Sequence, residues 1–284
     1  MGRNGPSAAS HKCARPLFPV LMIFNWLKRR RRQALRAAPL PARWVDVLDE
    51  HVGHYAFLGG EERSKLHDDL RILIAEKNWE GCGGLELNDT IRVTVAGQAA
   101  LLLLGFEDEY YDHVQSILVY PAGFLVPTQE HDEAGVVHQR EDARLGEAWQ
   151  RGPVILSWAD AQYGGRDAED GTNVVLHEFA HQLDMAERAA DGTPLLRSRE
   201  QYRRWREVMT REYRHLVRAS ARGTATLLDQ YGAKDEAEFF AVATETFFEW
   251  PRELRQEHPE LYDLLKEYYQ QDPARRLRTG RSMT

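Results

Sequence analysis

The chain has 284 residues, of which 43% are hydrophobic and 29% charged, so it is long enough for one sizeable hydrophobic core or two modest ones. Its net charge of −7 is the wrong sign for a protein that works mainly on nucleic acid, which needs a basic surface. Two cysteines, Cys13 and Cys82, exclude both a dense disulfide framework and a cysteine zinc finger, and they fit a reducing compartment.

The first apolar run, Leu17 to Phe24, is followed by Lys28 and by Arg29 to Arg32. It falls short of the ~20 apolar residues that span a bilayer. Its positive charge comes after the apolar run, opposite to the order in a signal peptide. Residues 1–33 therefore read as a disordered basic tail, with 1–21 either disordered or a mis-assigned start ahead of Met22. No transmembrane segment is expected.

Arg43 to Leu58 reads as one helix or two short ones, from Trp44, Val45, Leu48 and Val52 at helical spacing. Glu61 to Lys77 is a stronger helix, broken by Trp79 to Gly84. Asn88 or Asp89 caps the next helix, which ends at Gly105 and is apolar nearly all round, so it is expected to be buried. Strands follow at 116–120, 124–126 and 154–158, with a polar hairpin or loop over 128–147. The Gly- and Asp-rich stretch 160–171 reads as a turn. From Thr172 the chain is helical, over 172–187, 197–220, 235–249 and 251–270, and it ends in a flexible basic tail, 274–284. Helices, a small sheet, then helices is an α+β order rather than alternating βαβ.

The informative segment is His177-Glu178-Phe179-Ala180-His181. Histidines four apart on a helix share one face and can hold one Zn²⁺ together, with the intervening Glu178 on the open side as general base for an activated water. With eleven histidines in the chain, a chance match is expected roughly 0.03 times. Apolar neighbours bury the helix around this polar face, and a buried His-Glu-His cluster is costly unless a metal compensates it. The extension that would supply a third histidine is absent, since Gln182, Leu183 and Asp184 follow His181. Asp184 is a ligand candidate or, more in keeping with its position, a residue that orients a histidine. A further ligand is expected from the apolar helix 235–249, where Glu238, Glu245 and Glu249 fall on one face. Spacing does not choose between Glu238 and Glu245.

The motifs H-E-F-A-H at 177–181 and Y-G-x-x-x-E-A-E-F-F-A at 231–241 resemble the catalytic domain of anthrax lethal factor. From about residue 22 to 273 the chain more closely resembles the Mlc titration factor A (MtfA) family of zinc peptidases. The resemblance is carried by G-L-E-L-N-D-x-I-R-V-T-V-A-G-Q-A-A-L-L-L-L-G at 84–105, Y-P-A-G-F at 120–124, G-E-A-W-Q-R-G-P-V-I-L-S-W at 146–158, N-V-V-L-H-E-F-A-H-Q-L-D at 173–184 and A-E-F-F-A at 237–241. It implies a mostly helical, zincin-like (gluzincin) α+β metallopeptidase with a small mixed sheet before the H-E-x-x-H helix. Residues 34–273 would form the peptidase domain, with a helical part, 34–106, and a catalytic part, 107–273. One Zn²⁺ per chain would be held by His177, His181 and Glu238. Glu178 would be the base, Tyr231 an oxyanion donor, and Asp184 and Glu245 supporting residues. It also implies aminopeptidase-type activity, a cytoplasmic location, and binding to a glucose repressor of the Mlc type. The alternative reading is a repressor-sequestering protein with a latent or regulatory zinc site. Strand 154–158 is a candidate for binding substrate backbone by strand addition.

Overall fold

The computed structural model describes residues 18–122, 124–125, 128–131, 137–140, 143–144, 146–148, 152–186 and 190–280. Expected features at 1–17, 126, 281–284 and parts of 128–147 lie outside these residues. The chain divides into two compact units, Met1–Ala38 and Pro39–Thr284. The described part of the first is α1 (Phe18–Ala37), so residues expected as a tail carry a helix. Its run from Asn25 to Ala37 lacks Gly and Pro and is rich in Arg, Leu, Gln and Ala, all good helix formers.

The second unit begins with α2 (Ala42–His51), a 3-10 turn (Gly53–Phe57) and α3 (Gly60–Glu76), followed by β1 (Asn78–Gly81) and α4 (Asp89–Leu103). The strands β2 (Ser116–Tyr120), β3 (Phe124–Leu125), β4 (Thr128–His131), β5 (Val137–Arg140), β6 (Ala143–Arg144), β7 (Gly146–Ala148) and β8 (Val154–Ser157) come next. Then follow α5 (Trp158–Arg166), α6 (Val174–Asp184), α7 (Arg199–Ala221), a 3-10 turn (Gln230–Ala233), α8 (Glu236–Glu249), α9 (Pro251–Glu257), α10 (Pro259–Tyr269) and α11 (Pro273–Gly280). The fold is α+β and mostly helical. No helix among the described residues is long and apolar enough to cross a membrane.

The principal sheet has the order β1-β2-β8-β7. β1 and β2 run parallel, as do β2 and β8, and β7 closes one side antiparallel to β8. Three differences from the sequence reading follow. Residues 78–81 are a strand rather than a simple helix break, and the parallel pairing of β1 with β2 across α4 is a βαβ crossover. Its four residues, Asn-Trp-Glu-Gly, are too few to show alternation. β8 is internal, paired on both sides, so it has no free edge to receive a substrate strand. Residues 158–166 are a helix rather than a turn. Its Gly165 marks a close approach: a Cβ there would lie 2.5 Å from Gln98 Nε2 and 2.9 Å from the His51 carbonyl oxygen.

α4 is the hub of the core. Asn88 caps it by accepting the Ile91 N–H at 3.0 Å, and from Val93 to Leu103 every residue is buried. Its one buried amide, Gln98, donates to the carbonyls of Thr94 at 3.2 Å and Ala161 at 3.0 Å, which ties α4 to α5. α6 packs on α4 from another side, and α8 packs on α6.

The α6–α8 pairing is pinned by Asn173, which is fully buried. Its side-chain oxygen caps α6 by accepting the Leu176 N–H at 3.0 Å. Its amide group donates to the Gly164 carbonyl at 3.1 Å and to Glu249 Oε1 at 3.2 Å, and its backbone N–H donates to Glu245 Oε1 at 2.8 Å. The start of α6 therefore meets the end of α8, and the two helices run antiparallel.

Glu249 has no solvent exposure, and its Oε2 has no hydrogen-bond partner among the described residues. Burial pushes its carboxyl up to about 9, with the Asn173 hydrogen bond opposing the shift, so it is protonated at neutral pH. The folded chain holds this proton up to about pH 9, whereas the unfolded chain releases it near the ordinary value of 4.5. The associated stability is complete below that lower value and is lost as pH rises toward 9. Glu249→Gln has no proton to lose. It is expected to match the parent near pH 5 and to melt higher at pH 8.5, by roughly 2–4 °C per kcal/mol recovered, as read from thermal melts across that range.

Candidate metal centre

α6 presents His177 and His181 one turn apart on the face toward α8, with ring centroids 4.9 Å apart. Glu238 enters from the first turn of α8, where Asp235 caps the helix by accepting the Glu238 N–H at 2.9 Å. Glu238 Oε2 lies 3.1 Å from His177 Nε2 and 3.3 Å from His181 Nε2. One donor atom from each of these three residues falls within 4.8 Å of the others.

The remaining atoms of the cluster are held from behind. His177 Nδ1 donates to Glu245 Oε2 at 2.8 Å, so that Nε2 is the nitrogen turned to Glu238. Glu245 is in turn fixed by the Asn173 N–H. Glu238 Oε1 accepts from Lys234 Nζ at 2.8 Å and from the Tyr231 hydroxyl at 3.1 Å. One oxygen of this carboxylate is thus committed to its own helix entrance, and the other faces the histidines. Lys234 and Asn173 are the residues that sequence reasoning missed. Both carried local signals: Lys234 precedes Glu238 by four residues, a helical i,i+4 ion pair, and Asn173 is the polar residue just before the apolar run of α6.

The electrostatics follow from this packing. Burial opposes charge on His177, but Glu238 and Glu245 outweigh it and hold the imidazole well above its ordinary value. Burial would also raise Glu238, yet the two histidines and Lys234 override it and keep that carboxyl far below the usual range. Burial raises Glu178, against the pull of the two histidines. Glu178 Oε2 is buried with no hydrogen-bond partner among the described residues.

These groups open on a cleft of about 490 Å³ whose wall includes His177, Glu178, Tyr231, Glu245, Asp160 and Tyr163. Tyr231 sits on the 3-10 turn before α8, half exposed, with its ring 6.1 Å from that of His177. Asp184 is placed elsewhere. Its Oδ2 accepts the Gly192 N–H at 2.8 Å, and it hydrogen-bonds neither histidine. Asp184, read from the sequence as an orienting or ligating residue, stands at the last position of α6 with its carboxylate turned to the following loop. Glu249, on the same face of α8 as Glu238, lies at the far end against Asn173.

Two imidazole nitrogens and a carboxylate oxygen, mostly buried and mutually close, form a donor set suited to a divalent transition ion. On the adjacent cleft wall Glu178 Oε2, a buried oxygen with no hydrogen-bond partner among the described residues, fits the same reading.

Comparison with known proteins gives the same direction. Residues 26–270 match the family model of the glucose-regulated metallo-peptidase M90. An uncharacterized protein of Synechocystis sp. is 38% identical over 250 residues, covering 88% of this chain and 90% of its own. Mlc titration factor A of Klebsiella pneumoniae is 34% identical over 234 residues, covering 78% of this chain and 84% of its own. Mlc titration factor A of Cronobacter sakazakii is 33% identical over 252 residues, covering 85% and 89%. The chain belongs to the glucose-regulated metallopeptidase M90 family, the family of Mlc titration factor A.

Proposed function

We propose that the protein is a cytoplasmic zinc peptidase of aminopeptidase type, with a zincin-like site of the gluzincin kind. The observation that carries this reading is the convergence of His177 Nε2, His181 Nε2 and Glu238 Oε2 beside Glu178, whose Oε2 has no hydrogen-bond partner among the described residues, at a cleft lined by His177 and Glu178. His177, His181 and Glu238 would hold one Zn²⁺ per chain. When bound, the ion supplies Lewis acidity that acidifies water and polarises a carbonyl.

The rest of the chemistry belongs to the chain's own residues. Glu178 would take the proton from the attacking water and return it to the leaving amine. Burial raises its pKa, which favours a group that hands the proton on to the leaving amine. Glu245 fixes the tautomer and orientation of His177. Tyr231 reaches the cleft with a phenol donor suited to a developing oxyanion. Its hydroxyl now donates to Glu238 Oε1, so that role requires an exchange of partner. Asp160 lines the cleft, and its carboxylate would give a substrate α-ammonium an acidic contact. Extended substrate backbone would lie along β7, which flanks β8 and lies beside α6, rather than along β8.

A second role is favoured by the relatives. Several are called Mlc titration factor A, a name that speaks of a partner rather than of a substrate. Binding of an Mlc-type repressor fits beside catalysis, and a sequestering protein with a latent zinc site is the alternative if turnover is absent.

Glu178→Gln is expected to keep the metal and lose turnover of aminoacyl anilides by about 10²–10⁴-fold. Full activity in that variant would remove Glu178 from the mechanism. Glu245→Gln is expected to weaken zinc binding by about 10–100-fold with the fold intact. Calorimetric titration of both variants beside the parent measures this, and an unchanged affinity would assign Glu245 to packing alone.

A further inference from the structure

A second cluster with metal-ligand chemistry is formed by Glu212, His215 and His258, none of which lines that cleft. Glu212 and His215 are three residues apart on α7 and so share a face. His258 is the single residue between α9 and α10, held there by its backbone N–H bond to the Leu254 carbonyl at 2.8 Å. One donor atom from each of the three falls within 4.8 Å of the others.

The arrangement repeats the logic of the first site. Glu212 Oε1 is occupied by Arg211, whose Nε and Nη2 both donate to it at 3.0 Å. The other oxygen, Oε2, accepts from His258 Nδ1 at 2.9 Å. Arg211 also pairs with Glu260 at 3.1 Å, so its charge is shared between two carboxylates. Glu212 and His258 are mostly buried, with 14% and 13% of their side chains exposed, which makes them a preset pair. His215 is exposed, and its ring centroid lies 6.1 Å from that of His258. A histidine–glutamate pair alone is an ordinary helix-junction contact. The third group, open to solvent on the same face, is what gives it ligand character.

We propose that Glu212, His215 and His258 form a second site for a divalent transition ion, with Zn²⁺, Cu²⁺ or Ni²⁺ as the class that two imidazoles and one carboxylate favour. Binding replaces the hydrogen bond between His258 Nδ1 and Glu212 Oε2, the Nδ1 proton passing to the other ring nitrogen or to solvent. Donors to one Zn²⁺ sit about 2.0–2.2 Å from it, so the exposed His215 side chain swings inward to close the site. A bound ion would clamp α7 to the α9–α10 junction.

The test is zinc stoichiometry on the full-length chain after chelation, by equilibrium dialysis and elemental analysis. The parent is expected to take two ions, and His215→Ala, altered at an exposed position, one. The His177→Ala/His181→Ala variant is expected to take one, and that variant carrying His215→Ala none. As a second readout, the Cu²⁺ spin-resonance spectrum of His177→Ala/His181→Ala should show two coordinating nitrogens. Equal uptake by the parent and His215→Ala, or a Cu²⁺ spectrum without nitrogen coupling, would overturn the proposal. Equal uptake by the parent and His177→Ala/His181→Ala would instead count against the catalytic site, so the two failures are distinguishable.

Discussion

The functional reading depends on one constraint, the antiparallel seating of α6 against α8 by Asn173. Its side chain caps one helix while its amide group and backbone N–H reach two carboxylates near the end of the other. That fixes the sliding register between the helices. With the register set, Glu245 falls opposite Nδ1 of His177, and Glu238, two turns earlier on α8, falls opposite Nε2 of both histidines. A slip of one turn would put Val242 in the place of Glu238, and only a slip of two turns would bring Glu245 there. α4 supplies the apolar floor on which α6 lies, and Gly165 lets α5 approach closely enough to keep the Asn173 partner Gly164 in place.

Along α8 two buried glutamates are held in opposite protonation states, with Glu245 between them. Glu238 is surrounded by two imidazoles, a lysine and a phenol, and stays ionised despite burial. Glu245 bridges an imidazole and a backbone N–H. Glu249 accepts from an amide, has the His54 imidazole 3.7 Å from its Oε1, and is driven to the neutral acid by burial. Desolvation acts on Glu238 and Glu249 alike, and the supply of donors decides the outcome. Glu178 differs again: it is buried, its charge disfavoured, and one of its oxygens lacks a partner among the described residues.

The legible parts of the sequence were those in which one helix carries the whole signal. The H-E-x-x-H spacing puts two imidazoles on one face whatever surrounds it, and the apolar stretch 91–104 announces a buried helix. Periodicity placed Glu238, Glu245 and Glu249 on one face but was silent on which meets the histidines, because the register of α6 on α8 is a tertiary property set by Asn173. Asp184 looked like a partner for His181 from its spacing of three, yet its carboxylate turns to Gly192. β1 escaped notice because four residues ending in glycine carry no alternation, and with it went the parallel crossover to β2. α5 was hidden by Gly164 and Gly165, which read as breakers but serve close packing. The internal position of β8 depends on β7 pairing with it, which no local pattern encodes.

The most direct test of the central claim is an anomalous difference map at the zinc edge from crystals of the zinc-loaded protein. The account predicts a peak within bonding distance of His177 Nε2, His181 Nε2 and the Glu238 carboxylate, with Glu178 beside it and not bound. Zinc-loaded crystals with no peak between these three side chains, or with Glu245 in place of Glu238, would contradict it.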